Sequence, residues 1–164
     1  MTIRFAAPAD IPDILSFIRE LAEYEHLADQ VVAAPELLRD WLFEKKTARV
    51  LIAEEAGEKA GFALFFHNFS TFLGRGGLYL EDLFVRPAFR GRGIGKALLA
   101  RLAALAEEEG CGRLEWSCLD WNAPSIAFYR SMGAVPMDGW TVYRLTAGTL
   151  SAMAAQADPA VWKP

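Results

Sequence analysis

At 164 residues, with 53% hydrophobic and 23% charged side chains, the chain has the size and make-up of one globular domain whose core needs no disulfide or metal staple, which excludes the disordered and low-complexity classes. A formal net charge of −4 offers no basic field to a nucleic acid and favours cationic partners if it favours any. The longest apolar run, Phe62 to Phe66, is far short of the roughly 20 residues of a membrane-spanning helix.

Met1 to Asp10 does not read as a signal peptide, so the cytoplasm is the expected compartment. Residues 2 to 6 alternate as a strand, with Ile3 and Phe5 on one face, and Pro8, Ala9 and Asp10 then supply a turn and a helix cap. Ile11, Ile14, Leu15, Ile18, Leu21 and Ala22 recur at spacings of three and four, which predicts a helix to about Glu25. A second helix is expected from Pro35 to near Lys46, with Leu37, Leu38, Trp41 and Leu42 turned inward. Val50 to Glu54 and Ala60 to His67 read as a hairpin about Glu55–Glu58, followed by a Gly-rich loop over 68–77 and a strand from Leu78 to Val85 that stops at Arg86-Pro87.

From Ile94 the set Ala97, Leu98, Leu102 and Leu105 marks an amphipathic helix that ends before Gly110. A strand over Arg113 to Leu119, a short helix from about Pro124 to Met132 and a last strand over Thr141 to Leu145 lead into an Ala-rich tail. Helices interleaved with strands that include a hairpin imply an α/β (α+β) fold, a mixed sheet with helices on both faces, as a single domain over 1–164. Cys111 and Cys118 form no CxxC pair and are expected as small buried or half-buried side chains, not as metal ligands.

The segment Arg90-Gly91-Arg92-Gly93-Ile94-Gly95-Lys96 lies between a strand end and the first turn of a helix, where backbone N–H groups and the helix dipole gather around an anion. Glycines allow positive φ and close approach, and the arginines and Lys96 add charge, so a pyrophosphate fits. A dinucleotide G-x-G-x-x-G pattern would need glycine where Lys96 or Leu98 stands, and a Walker pattern would need glycine at Arg90. A solvated Gly-rich turn is the plain alternative.

The strand ending Leu80-Glu81-Asp82-Leu83-Phe84-Val85, the R-x-x-G-x-G turn after it, and Trp121-Asn122-Ala123-Pro124-Ser125-Ile126-Ala127-Phe128-Tyr129 together resemble the GNAT superfamily of N-acetyltransferases. Within it, Glu20-Leu21-Ala22-x-Tyr24-Glu25, Tyr79-Leu80-Glu81-Asp82 and Asn122-x-Pro124-Ser125-x-x-Phe128-Tyr129 are similar to the diamine and spermidine/spermine acetyltransferase branch over about residues 3 to 150. Ala123 departs from the branch, which usually has glutamate there, and so do Gly77 and Gly139. The resemblance implies a mostly antiparallel GNAT sheet, acetyl-CoA as acetyl donor and no metal. It also implies a homodimer and a small amine, diamine or polyamine, as acceptor.

An alkylammonium with a pKa near 10 is only about one part in a thousand free base at neutral pH, so acyl transfer to it needs a proton acceptor, and Glu81 is the candidate. A regular strand would point Glu81 and Asp82 to opposite faces. The resemblance implies a bulge that turns both to one cleft. It also assigns Tyr129 as proton donor to the CoA thiolate, and Leu83, Phe84 and Val85 as the strand whose backbone pairs with pantetheine. Arg90 to Lys96, with Asn122, Ala123, Pro124 and Ser125, would meet the cofactor, and Tyr24, Glu25, Glu81, Asp82, Glu115, Trp116 and Ser117 would meet the amine, whose charge suits acids and aromatic faces. Acetylation of thialysine, another amino acid amine or a peptide lysine is the alternative within enzymes; an idle acyl-CoA-binding module is the alternative outside them.

Overall fold

The computed structural model describes residues 1–158 and Val161, so the last six positions of the expected domain, Val161 apart, lie outside the described residues. It divides at Ser117/Cys118 into two units, each taken by itself.

In the first unit five strands lie side by side in chain order: β1 (Thr2–Phe5), β2 (Arg49–Glu55), β3 (Glu58–Ser70), β4 (Arg75–Val85) and β5 (Leu114–Trp116). The first four pair antiparallel and β5 runs parallel to β4, the mixed, mostly antiparallel sheet expected. Leu51, Ala53, Ala63, Phe65, Leu78 and Leu80 are buried along one face, and Val50, Ile52, Phe62 and Phe84 along the other. A sheet apolar on both faces must be covered on both.

One face takes helix α1 (Ile11–Tyr24) and helix α2 (Pro35–Arg39), which runs on into a π-helical turn over Asp40–Glu44. Phe17 stacks on Phe62 with centroids 5.1 Å apart and meets Phe84 edge-on at 6.4 Å, and Ile14 and Leu42 complete the cluster. The other face takes α3 (Ile94–Glu108), whose Leu98, Leu102 and Leu105 are buried.

Two polar knots fix α1 on the sheet. Arg86, at the end of β4, donates to both Glu20 oxygens from Nε, to Ser16 Oγ and to the Lys59 carbonyl, and its guanidinium lies 4.5 Å from the Phe17 ring centroid. Asp10 is 3% exposed and receives a two-pronged contact from Arg4 at 2.7 and 2.9 Å, an ion pair from Lys59 at 2.7 Å and the Ala7 N–H at 2.8 Å. These partners hold its carboxyl well below the usual range, the Arg4 hydrogen bonds most of all. Replacing Asp10 by Ala removes the buried hub of this network, although Arg4 keeps Glu54 and Lys59 keeps Asp13, and is expected to cost about 2 kcal/mol by urea unfolding at pH 7. Because the folded-state pKa is depressed, that contribution is whole above about pH 4 and fades as the pH falls further, so the gap between the two proteins should narrow toward pH 2.

Four expectations are corrected. Of the four side chains expected inward on the second helix, Leu38 and Leu42 pack against the core while Leu37 and Trp41 are half exposed, because the π-helical turn over Asp40–Glu44 breaks the 3.6-residue period. The stretch 68–77 is mostly ladder, not loop, since Asn68, Phe69 and Ser70 pair with Gly77, Gly76 and Arg75 and leave only 71–74 as the turn; hairpin pairing overrides the poor strand propensity of glycine. β5 is shorter than the expected Arg113–Leu119, as an edge strand with one neighbour often is. Thr141–Leu145 forms no strand, because alternating residues become a strand only where a ladder partner exists, and none is present among the described residues.

The second unit holds α4 (Ala123–Ser131) and α5 (Ala147–Ala154), the latter in the tail expected only as Ala-rich. Between them Trp140 is 74% exposed and Tyr143 91%. No helix among the described residues is long and apolar enough to cross a membrane.

Candidate functional site

The pairing of β3 with β4 slips at one place. Leu64 faces Asp82 and Phe65 faces Leu80, which leaves Glu81 without a partner as the extra residue of a bulge. Cross-strand partners share a face, so Leu80 lies with Phe65 toward α3, whereas Asp82 and Phe84 lie with Leu64 and Phe62 toward α1. The bulge thus exchanges the faces of the strand at Glu81, which is itself exposed. The expected bulge sits at the expected residue.

Asp82 is half-buried. Burial, then the nearby charges of Glu81 and Glu25, push its carboxyl up to about 6 from an ordinary value near 3.8. Glu25, just past the C-terminus of α1, is also pushed up by burial. Beside it, the Tyr24 ring lies 5.0 Å from the Arg90 guanidinium. Among the described residues no ion pair joins Glu25, Glu81 or Asp82 to a cation, and the three acids lie near enough for Glu81 and Glu25 to act on Asp82, so their surroundings carry a negative potential that suits a positive charge.

Next to the acids β4 loses its second neighbour. Pairing with β5 ends at Leu80–Trp116, so the β5-side edge of Leu83, Phe84 and Val85 has no ladder partner among the described residues and is open to an extended chain with amide groups. Gly61 lets β3 approach this segment, since a Cβ there would lie 2.6 Å from the Phe84 carbonyl oxygen.

The strand ends in the Gly-rich turn. Gly91 and Gly93 hold φ of +74° and +80°, and a Cβ on either would meet nothing within 4 Å, so the left-handed backbone, not crowding, selects glycine. The first bond of α3 runs from Ala97 N–H to the Gly93 carbonyl at 2.9 Å, and the N–H groups of Ile94, Gly95 and Lys96 precede it, as in an anion-binding helix start. Both arginines fold back: Arg90 donates to the Val85 carbonyl at 2.9 Å and lies over Tyr24 and Phe84, and Arg92 donates to the Ala88 carbonyl at 3.1 Å. Backbone N–H groups and exposed Lys96 are what the turn offers an anion, a fit for a pyrophosphate.

Tyr79 pairs with Phe66 and with Glu115, so these side chains share the face of Asp82, and Tyr79 Oη lies 2.8 Å from Ser117 Oγ. Trp116 pairs with Leu80 and belongs to the opposite face; of the three residues expected near the amine here, Glu115 in β5 and Ser117 just after it lie with Tyr79, and Trp116 is separated from them. Sequence reasoning gives no role to Asn68, Arg113 or Phe66 and meets Tyr79 only inside its motif; the pairing brings all four near Glu115, and cross-strand register leaves no mark in the sequence of which residues will meet.

In the second unit Asn122 is buried and its Oδ1 accepts the Ser125 N–H at 3.3 Å, capping α4, with Pro124 in the first turn. Ala123 begins the helix, and Tyr129 is half-buried with its ring 5.3 Å from Phe128. Cys111 and Cys118 are half-buried free thiols, as expected.

Comparison with known proteins adds a second line. The profile of the Acetyltransferase (GNAT) family matches residues 14–134, across the boundary between the units. The chain is 37% identical to thialysine N-epsilon-acetyltransferase of Bos taurus, over 94% of this chain and 97% of that one. It is 34% identical to spermidine/spermine N(1)-acetyltransferase-like protein 1 of Homo sapiens, over 93% of this chain but 23% of that longer protein. Among solved structures, an integron cassette protein from the mobile metagenome of V. cholerae superposes with a TM-score of 0.79 at 29% identity, covering 93% and 96% of the two chains.

Proposed function

The chain belongs to the acetyltransferase (GNAT) family and is an N-acetyltransferase that acts on amines, and we propose that it moves acetyl from acetyl-CoA to a terminal primary amine of a small diamine-, polyamine- or thialysine-like cation. The observation that carries this reading is the bulge at Glu81, which brings Glu81, Asp82 and Glu25 to the end of a strand whose next backbone edge is open.

Acetyl-CoA supplies a thioester whose carbonyl carbon the amine attacks. The pyrophosphate seats on the backbone of Gly91 to Lys96, and the pantetheine arm lies along Leu83, Phe84 and Val85. Asn122, Ala123, Pro124 and Ser125 are assigned to the same ligand by their match to the family pattern. At the amine end the carboxylates draw the ammonium in, and Tyr24 lines the approach. Glu81 takes the ammonium proton through a water molecule, the free nitrogen forms the C–N bond, and the C–S bond breaks. Tyr129 gives the CoA thiolate its proton and is restored by the second proton that the nitrogen sheds as the amide forms, so that one proton in all, the one taken by Glu81, is released to water. The whole chain works as one domain of a homodimer in the cytoplasm. Exposed Val135, Met137, Trp140, Val142 and Tyr143 support the dimer, because so many large apolar side chains left in water within nine residues of chain suit a surface that a partner covers.

Thiol release from acetyl-CoA across diamines, polyamines, thialysine, lysine and a lysine peptide tests the reading. One small amine is expected to dominate the others by at least about tenfold in kcat/KM, the level at which a site that pairs its polar groups discriminates. Acetyl-CoA binding without turnover on any amine in the panel would sink it and leave an acyl-CoA-binding module.

A further inference from the structure

On the sheet face opposite Asp82, three metal-ligating side chains of different kinds meet where α3 ends. Arg49 pairs with Phe65 and His67 with Leu78, so both share the face that α3 covers. The helix stops at Glu108, and Gly110, at φ +69°, turns the chain back. The Gly110 N–H returns to the Glu107 carbonyl at 3.0 Å and the Cys111 N–H to the Ala106 carbonyl at 2.8 Å, which fixes Glu109 and Cys111 beside β3. His67 Nε2 lies 2.7 Å from Glu109 Oε2. An imidazole nitrogen of His67, a carboxylate oxygen of Glu109 and Cys111 Sγ all fall within 4.8 Å of one another.

The trio is both positioned and reachable. Arg49 grips the Glu109 carboxylate, Nη1 donating to Oε1 at 2.7 Å and Nη2 to Oε2 at 2.9 Å, and its guanidinium lies 4.8 Å from the Phe65 ring centroid. The side chains of His67 and Glu109 are 52% and 28% exposed and Cys111 is half-buried, so an ion can arrive from solvent. Gly76, across the hairpin, puts no side chain over the sulfur, since a Cβ there would lie 4.0 Å from Sγ. The carbonyl end of α3 is the negative pole of the helix dipole, which favours a cation beside Glu109.

We propose that His67, Glu109 and Cys111 bind one divalent cation of the zinc class, at a site separate from acetyl transfer that ties the end of α3 to β3. One nitrogen, one sulfur and one oxygen suit a borderline-soft ion and not magnesium or calcium, which take oxygen. Tetrahedral bonds of about 2.0 Å to N and O and 2.3 Å to S set the ligand atoms about 3.3–3.5 Å apart. The His67 and Glu109 atoms therefore open slightly from 2.7 Å, and the sulfur closes in by about 1 Å, within reach of side-chain rotation. Metal bonds to N, O and S form, water takes the fourth position, and the Cys111 S–H bond breaks with its proton passing to the buffer; no electron moves. Arg49 is the cation that the ion competes with for Glu109.

Titration of the reduced, metal-free protein with Co2+, followed by displacement with Zn2+, tests this. One equivalent of Co2+ should give a thiolate-to-metal charge-transfer band in the near ultraviolet and the visible bands of a four-coordinate ion, and one equivalent of Zn2+ should abolish both. Zn2+ at a hundredfold excess over its Kd should raise Tm by about 5 °C or more. Cys111→Ser should lose the charge-transfer band, His67→Gln should weaken binding by at least about tenfold, and Cys118→Ser should leave both unchanged. Arg49→Met should tighten binding severalfold by removing the competing cation. His67→Gln, at a half-exposed position, keeps the test decisive should Cys111→Ser lose stability. Absence of the band in the parent protein, a band that survives in Cys111→Ser, or an affinity indifferent to His67→Gln overturns the inference. The amine-acceptor reading stands in either case, since the two sites share no residue.

Discussion

Tyr129→Phe and Glu81→Gln are each expected to lower kcat by about 10²–10⁴-fold, with acetyl-CoA affinity within about threefold of the parent. The two changes remove opposite ends of one proton inventory. Without Glu81 the amine nitrogen stays protonated and has no lone pair to attack the thioester. Without the Tyr129 hydroxyl the CoA sulfur leaves as an unprotonated thiolate. Neither residue is assigned a contact that holds the nucleotide, so equilibrium binding of acetyl-CoA, followed by calorimetry, should survive. Rates at raised pH separate them further: Glu81→Gln should recover part of its loss as the amine deprotonates in solution, and Tyr129→Phe should not. Equal and unaltered turnover in both variants would remove these residues from the chemistry.

Asp82→Asn sets function against stability. Burial and the charges of Glu81 and Glu25 raise the Asp82 carboxyl to about 6, so the folded protein binds that proton more tightly than the unfolded chain does. The penalty is absent below about pH 4, grows between there and 6, and is constant above. Asparagine removes it, and the variant is expected to gain about 1–2 kcal/mol at pH 7.5 once solvent screening is allowed for, while at pH 4 the two proteins should unfold together. Activity moves the other way. The cationic acceptor loses a charge partner, and kcat/KM should fall by about 100-fold, of the order of a buried charge-assisted contact. Wild-type kcat/KM should also fall as the pH drops through about 6, and the Asn variant should lack that limb. A variant both less stable and fully active would show that Asp82 serves the fold alone.

Some residues declared themselves in sequence and others did not. The Gly-rich turn was legible because positive φ selects glycine locally, and Gly91 and Gly93 adopt it. The helix from Ile94 was legible because its apolar spacing needs no knowledge of its partner. Thr141–Leu145 misled for the converse reason: it carries strand-like residues with no ladder partner among the described residues. Asn68 and Arg113 were silent because a polar residue in an expected loop, and an arginine at an expected strand start, carry no mark of which carboxylate they will meet.

What the sequence determined by itself was local and chemical: the alternation that builds β2 to β4, the period of α1 and α3, the backbone freedom of the turn at 90–96, and the presence of adjacent acids at Glu81 and Asp82. Tertiary structure alone decided which face each acid occupies, because the faces exchange only when Leu64 and Phe65 pair across the extra residue. It alone raised the Asp82 carboxyl, since burial is a property of the folded chain and the field of Glu25 comes from a residue 57 positions away in the numbering. Pairing across strands also brought Asn68 and Arg113 onto one oxygen of Glu115. Periodicity depends on neighbours a few residues apart, whereas charge, register and burial depend on residues that only the folded chain brings together.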